Sequence, residues 1–369
     1  MSHHSPTART RRRTARGLAV AVLAALSATT LAAPQAVAAP GGGKHQQAHR
    51  FDLQAHRGGL GLVVESTLAS FSNALETGVS TLELDVQITK DGQAVVTHDR
   101  RVAASKCRDT GPVVPGDPQY PYVGDYIVNL SLAQVRTLDC GTQTLPQYPG
   151  QRPSPGATMP LLSEVFDLVK RYKANKVRMN IETKVEAAAP HETAPREQFV
   201  QVVAREVRKA RFLDRVTVQS FDWGALMRMR KVEPKLPVVA LTNGQQFLQV
   251  GMEGKSPWLG GIDIDDFGGD LVAAAKSFGA AAISPVHGDP QGGTVDDPGY
   301  KPFVTEELVR KAHAARLKVI PWTVNDTATM NKLIDDGVDG IITDYPDRLR
   351  AVMADRGFKL PKPQRAPRR

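Results

Sequence analysis

Five stretches of the 369-residue chain carry side chains that could do chemistry together: His56-Arg57-Gly58, Glu65, Glu83-Leu84-Asp85, His98-Asp99 and Asn180-Ile181-Glu182-Thr183-Lys184. Glu83 and Asp85 stand two apart in a β-type run, so both carboxylates point to one face of a strand. Like charges this close repel unless something positive sits between them. A hard divalent cation with oxygen ligands does this well. A solvent-facing strand with two hydrated acids is the other reading, and these two residues alone leave both open.

The neighbouring residues favour the first reading. Asp91-Gly92 has the composition of a hairpin turn, which would fold Ala94–His98 back beside the acidic strand and bring His98 to it. Glu182 and Lys184 share a face at the end of a further strand. Glu83, Asp85 and Glu182 sum to −3; a divalent cation, Arg57 and Lys184 bring the total to +1. That charge complements a phosphodiester monoanion. His56 and His98 could then serve as proton donor and acceptor for the leaving and attacking oxygens. A cation and the two basic residues would stabilise charge on the phosphoryl oxygens. Water and a neighbouring hydroxyl are both compatible attackers.

These residues need a frame that brings strand ends to one rim. Strand-like runs occur at 51–55, 81–88, 176–181, 216–221, 237–241, 280–285, 318–324 and 340–343, with a surplus candidate at 261–265. Helical periods lie between them: about 67–77 with Ser66 as N-cap and Gly78 as stop, then 162–173, 196–209, 306–315 and 327–335. Eight strands alternating with helices predict an α/β fold of the (β/α)8 TIM-barrel type, whose chemistry sits at the C-terminal rim. The interval 103–156 is rich in Pro, Gly and Tyr. It is too long for a plain loop and reads as a small capping insertion after the second strand's hairpin. The barrel is thus expected over 51–355.

A formal charge of +9 would ordinarily suggest an anionic polymer or membrane as partner. Its distribution removes that inference. Residues 1–39 hold five arginines and no acid, and 356–369 hold six basic residues and no acid. The body, 40–355, holds 36 basic and 38 acidic residues. No nucleic-acid partner is therefore expected. Arg9, Arg11, Arg12, Arg13 and Arg16, an apolar run from Leu18 to Leu31, and Ala36-Val37-Ala38 are the three parts of a signal peptide. The apolar run is too short to favour a membrane span. The expectation is a secreted monomer exported by the Sec or Tat route, with a linker over 40–50 and a flexible basic tail over 356–369. Export makes a Cys107–Cys140 disulfide plausible against two buried thiols, contributing roughly 3–4 kcal/mol.

In these motifs the sequence resembles the glycerophosphodiester phosphodiesterase family over about 51–350. The family's H-R-G matches His56-Arg57-Gly58. Its E-x-D-V, T-x-D-G and V-x-H-D pattern runs from Glu83 to Asp99, and N-I-E-x-K matches Asn180 to Lys184. Gln219-Ser220-Phe221, Trp322-Thr323-Val324-Asn325 and Asp339 to Asp344 complete the series. The resemblance implies metal-dependent hydrolysis of glycerophosphodiesters to glycerol 3-phosphate and an alcohol. It gives His56 and His98 the acid/base roles. Glu83, Asp85 and Glu182 would hold one Ca2+ or Mg2+, Arg57 and Lys184 the phosphate. Trp322 would line the alcohol or glycerol pocket, and the insertion would cap the glycerol end. Val64-Glu65-Ser66 departs from the family's P-E-N; Glu65 is retained and is expected to support substrate binding. The rival readings are a phospholipase D-like enzyme on lysophospholipid or sphingomyelin, and an inactive polyol- or phosphate-binding barrel.

Other candidates read as bland. His287 is expected at the rim without catalytic duty, and His191 and His313 as structural or exposed. Asp263, Asp265, Asp266 and Asp270 lack the closing glutamate of a calcium loop, and Ile262, Ile264 and Phe267 suggest a strand and its exit instead.

Overall fold

The structure is a computed structural model that describes residues 51–366. The expected signal peptide, the linker, and His3, His4 and His45 lie outside the described residues.

Eight parallel strands form the frame: β1 (Asp52–Ala55), β2 (Thr81–Ile88), β3 (Arg178–Thr183), β4 (Val216–Ser220), β5 (Val238–Thr242), β6 (Ala282–Pro285), β7 (Lys318–Val319) and β8 (Gly340–Thr343). They are hydrogen-bonded in the order β7-β6-β5-β4-β3-β2-β1-β8. Backbone bonds join the two ends: Asp339 donates to Val319, Ile342 to Pro321 and Val324 to Ile342. Each strand is followed by a helix: α1 (Leu68–Thr77), α2 (Leu162–Arg171), α3 (Arg196–Ala210), α4 (Trp223–Val232), α5 (Leu271–Ser277), α6 (Glu306–Ala314), α7 (Thr327–Asp335) and α8 (Pro346–Asp355). This is the (β/α)8 TIM barrel expected from the alternation.

Period two along the strands separates two environments. Leu82, Leu84, Val86 and Ile88 of β2, Met179 and Ile181 of β3, and Val216 and Val218 of β4 belong to the main apolar core. The alternate residues Thr81, Glu83, Asp85, Asn180, Glu182 and Gln219 are buried and polar. The interior of this part of the barrel is therefore a hydrogen-bonded network rather than a layer of aliphatic side chains.

Three local expectations are corrected. Residues 261–265 form no strand: a 3-10 turn, Ile264–Phe267, occupies the region, capped by the Asp263 carboxylate on the Asp265 N–H at 3.1 Å. Gly260, Gly261 and Gly268 adopt positive φ around it, so turn chemistry overrides the β-branched pattern of Ile262 and Ile264. The N-cap of α1 is Thr67 rather than Ser66. Ser66 sits in the left-handed region (φ 57°), leaving Thr67 extended with its hydroxyl accepting from Ser70 N–H at 3.0 Å. Finally, part of the expected flexible tail is held: Arg350 donates to Pro361 O, Gln364 N–H donates to Leu75 O, and Phe358 packs on Phe51.

The insertion builds its own small core from Val102, Cys107, Tyr122, Ile127, Leu130, Val135, Leu138 and Met159. Arg108–Asp109 pairs antiparallel with Leu138–Asp139, and Cys107 and Cys140 are disulfide-bonded. Its far end docks on the loop after β1, where Arg152 N–H donates to Leu62 O and Val64 N–H to Arg152 O.

Candidate active site

The mouth of the barrel assembles from strand ends. His56, Arg57 and Gly58 form a 3-10 turn directly after β1. Arg57 adopts φ 51°, and its N–H donates to Glu83 Oε2 at 2.9 Å. Gly58 (φ 83°) lies so close to α1 that a Cβ would meet Ser70 Oγ at 2.5 Å. Glycine is needed there on both conformational and steric grounds. After β2 the chain turns at Gly92, pairs Ala94–Val96 against Val86–Ile88, and donates Thr97 N–H to Asp85 O at 3.1 Å. The hairpin thus returns His98 to the acidic strand, as its sequence predicts.

Glu83 and Asp85 are each 1% exposed, which removes the reading of a wet strand. Register places Asp85 opposite Glu182, and Glu182 opposite Gln219. One ligand atom each from Glu83, Asp85 and Glu182 lies within 4.8 Å of the others. Gln219 Nε2 donates to Glu83 Oε1 at 2.8 Å, Asn180 Nδ2 donates to Gln219 Oε1 at 2.7 Å and to Gln54 Oε1 at 3.0 Å. Neither oxygen of Asp85 accepts a hydrogen bond among the described residues. Arg57 Nε approaches one at 3.3 Å and Lys184 Nζ the other at 3.7 Å. Three converged carboxylates, two of their oxygens buried without a donor, form the donor set that a hard divalent cation takes.

The electrostatics fit the same reading. Burial pushes Glu83 up, and Asp85 and Glu182 add to it. Burial likewise pushes Glu182 up to about 7, against the opposing charge of Lys184. For Asp85, burial is overcome by Lys184 and Arg57, which hold it down at about 2. Burial of Glu65 is overcome by Arg57 and Lys106, which also hold it at about 2. His98 is depressed by burial and by nearby Arg57 and Lys184, so its imidazole is neutral near pH ~7.

Both histidines have a carboxylate behind them. His56 Nδ1 is 2.6 Å from Asp344 Oδ1, at the end of β8, and His98 Nδ1 is 2.7 Å from Asp99 Oδ1. Asp344 also accepts from Tyr148 OH at 2.8 Å and Asn325 Nδ2 at 2.6 Å. Glu65 Oε2 accepts from Arg57 Nη1 at 2.8 Å, and Lys184 Nζ lies 2.8 Å from Glu182 Oε1.

His56, Arg57, Glu65, Glu83, His98, Tyr148, Glu182, Lys184 and Asp344 line a cavity of about 780 Å³ that also holds Gln147, Asn243, Gln291, Trp322 and Asn325. A second chamber of about 500 Å³ adjoins it, with His98, Glu182, Lys184, Phe221 and Phe247 common to both. Trp322 crosses Phe221 edge-on at 5.4 Å, its indole N–H fixed on Ser284 O at 2.9 Å. The structure therefore brings together His56, His98, Arg57, Lys184, Glu65, Trp322 and all three carboxylates. His287 is buried elsewhere, with Nδ1 on Tyr300 OH and Nε2 on Gln291 O. Sequence reasoning missed the partners Asp344, Asp99, Gln219, Asn180, Lys106 and Tyr148. The first four lie inside quoted motifs, so their signal was present without a role; nothing marked the last two.

Residues 56–348 match the model of the Glycerophosphoryl diester phosphodiesterase family. A glycerophosphodiester phosphodiesterase of Caldanaerobacter subterraneus subsp. tengcongensis is 27% identical over 295 residues, covering 80% of this chain and 94% of that protein. One of Bacillus subtilis is 27% identical over 307 residues, covering 81% and 85%. A crystal structure from Silicibacter pomeroyi superimposes with a TM-score of 0.68 at 29% identity, covering 84% of this chain and 95% of that one.

Proposed function

The chain belongs to the glycerophosphoryl diester phosphodiesterase family and hydrolyses glycerophosphodiesters, and we propose that it does so with His56 and His98 as the proton-transfer pair around one divalent cation, Ca2+ or Mg2+. The carrying observation is the cluster Glu83, Asp85 and Glu182: Glu83 and Glu182 line one cavity with both histidines, Arg57 and Lys184, and Asp85 lies behind Arg57 Nε and Lys184 Nζ. Held by those three carboxylates, the cation would neutralise charge on the phosphoryl oxygens. Arg57 and Lys184 bind the same oxygens with the N–H groups that Glu65, Asp85 and Glu182 leave free.

His98, kept neutral by burial and two adjacent cations, accepts the proton of the attacking oxygen, that of water or of a neighbouring hydroxyl. Asp99 holds its Nδ1 side, so the other ring nitrogen faces the diester. His56, with Asp344 behind it to stabilise an imidazolium, donates a proton to the leaving oxygen. Gln147, Asn243, Gln291, Asn325 and Trp322 give the cavity a polar wall with one indole face, suited to a glycerol moiety.

His56→Ala and His98→Ala should each abolish release of glycerol 3-phosphate from a panel of glycerophosphodiesters, with the fold retained by circular dichroism. Chelation should do the same, and Ca2+ or Mg2+ should restore it. Near-normal turnover in either variant would overturn the assignment. Faster turnover of lysophosphatidylcholine than of glycerophosphocholine would favour the phospholipase D-like reading.

The same reading includes export. The leader-like 1–39 and the Cys107–Cys140 bond both suit an oxidising compartment. The mature N-terminus of protein recovered from culture medium tests this; retention of residues 1–39 in the cell would overturn it.

A further inference from the structure

The insertion reaches both histidines through their carboxylates. Lys106 Nζ lies 2.8 Å from Asp99 Oδ2 and 2.8 Å from Glu65 Oε1. The other oxygen of Asp99 faces His98 Nδ1, and the other oxygen of Glu65 accepts from Arg57 Nη1. A single ammonium therefore joins the group behind a proton-transfer histidine to the group behind a phosphate-binding arginine. Lys106 precedes the disulfide cysteine Cys107, and both backbone N–H groups close on Ala103 O, so its stem starts from a fixed turn. On the opposite side Tyr148 OH donates to Asp344 Oδ2, whose partner oxygen faces His56 Nδ1.

We propose that Lys106 is a positioning residue for His98, and Tyr148 one for His56, so that the capping insertion completes both histidine–carboxylate pairs. This rests on the assignment of His56 and His98 above. The physical reason is exposure. The side chain of Asp99 is 31% exposed and that of Asp344 3%. Asp344 is confined by its surroundings and by Asn325, whereas Asp99 has Lys106 as its charged tether against turning to water. Without that tether the His98 ring loses the acceptor that fixes its tautomer and plane.

Steady-state kinetics on glycerophosphocholine at saturating cation test this. Lys106→Met and Lys106→Gln should each lower kcat ~10-fold or more with KM within ~2-fold, because a misaligned base slows the step without removing a substrate contact. Lys106→Arg should restore most of the loss. Tyr148→Phe should lower kcat less, since Asn325 still holds Asp344. Arg136→Gln, which cuts the insertion's contact with Glu164 of α2 away from both pairs, should leave kcat unchanged. The inference falls if kcat is normal in both Lys106 variants, if KM rises while kcat holds, if arginine gives no rescue, or if Arg136→Gln loses as much kcat. Inactive His56→Ala and His98→Ala beside normal Lys106 variants would sink this inference alone. Active histidine variants would sink the underlying reading.

Discussion

Asp85 of β2 lies directly across from Glu182 of β3, two buried carboxylates in register, and among the described residues neither Asp85 oxygen accepts a hydrogen bond. That pairing costs folding free energy unless a cation or a proton intervenes. Glu83 and Glu182 are both pushed up by burial, Glu182 to about 7, so a proton on either relieves the repulsion. The folded value of Glu182 lies above the ordinary 4.5, so the cation-free fold binds a proton that the unfolded chain releases. Stability from this group therefore falls as pH rises from 4.5 to about 7.

A cation displaces that proton, so its affinity rises over the same window. The expected outcome is a cation-induced rise in Tm that is larger at pH ~8 than at pH ~5.5, and much flatter with pH in Glu182→Gln. Thermal unfolding with chelator and with added Ca2+ or Mg2+ checks it. An increment independent of pH would show that Glu182 is not a ligand.

Gln219 provides the second test of the same centre. Its amide nitrogen holds Glu83 Oε1, and its carbonyl is held by Asn180. Gln219→Leu removes the donor that aims Glu83 and takes one of two acceptors from the Asn180 amide, which keeps Gln54. Cation affinity should fall ~10–100-fold, with ~1–3 kcal/mol lost from stability. Calcium titration by calorimetry reads the first effect and denaturant unfolding the second. Unchanged affinity would mean that the carboxylate orientation is set elsewhere.

Asp344 should matter through His56 alone. Asp344→Asn keeps the side-chain shape yet offers His56 Nδ1 an amide in place of a full carboxylate. A loss of ~100-fold in kcat with KM within ~2-fold is expected in steady-state kinetics. A rise in KM at constant kcat would instead place Asp344 against the substrate.

The sequence made the barrel and the reactive ends of its strands legible because both follow local rules. Period two in β2 puts Glu83 and Asp85 on one face, and Asp91-Gly92 turns the chain to bring back His98. Eight strand–helix repeats then place those ends on one rim. The partners behind the reactive groups were not legible, because they come from distant chain. Asp344 reaches His56 from 288 residues away, and Tyr148 reaches Asp344 across 196. Lys106 sits in an irregular insertion with no period to read. The 261–265 segment misleads because Ile262 and Ile264 fit a strand, while the decisive conformers belong to Gly260, Gly261, Gly268 and the Asp263 cap.

The insertion's integrity depends on Asp139 and the adjacent disulfide. The carboxylate of Asp139 accepts from Gly141 N–H at 3.1 Å, Thr142 N–H at 3.1 Å, Thr142 Oγ1 at 2.6 Å, Gly156 N–H at 3.2 Å, and Arg108 Nε and Nη2 at 3.0 and 2.8 Å. Burial raises its pKa, but the Thr142 hydroxyl, Gly141 N–H and Arg108 more than offset this and hold it down at about 2. The folded value is depressed, so the stabilisation is fully present above the ordinary 3.8 and is lost as pH falls through about 2. Asp139→Asn replaces one acceptor by an amide facing donors, and should cost ~2–3 kcal/mol while abolishing that acid dependence. Cys107→Ala/Cys140→Ala should cost ~3–4 kcal/mol by releasing the loop they close across a sequence separation of 33. In both variants limited proteolysis should cut first within 103–156, ahead of the barrel, and kcat should fall with the loss of Lys106 and Tyr148 contacts. First cleavage in the barrel helices would show that the insertion is held by other contacts.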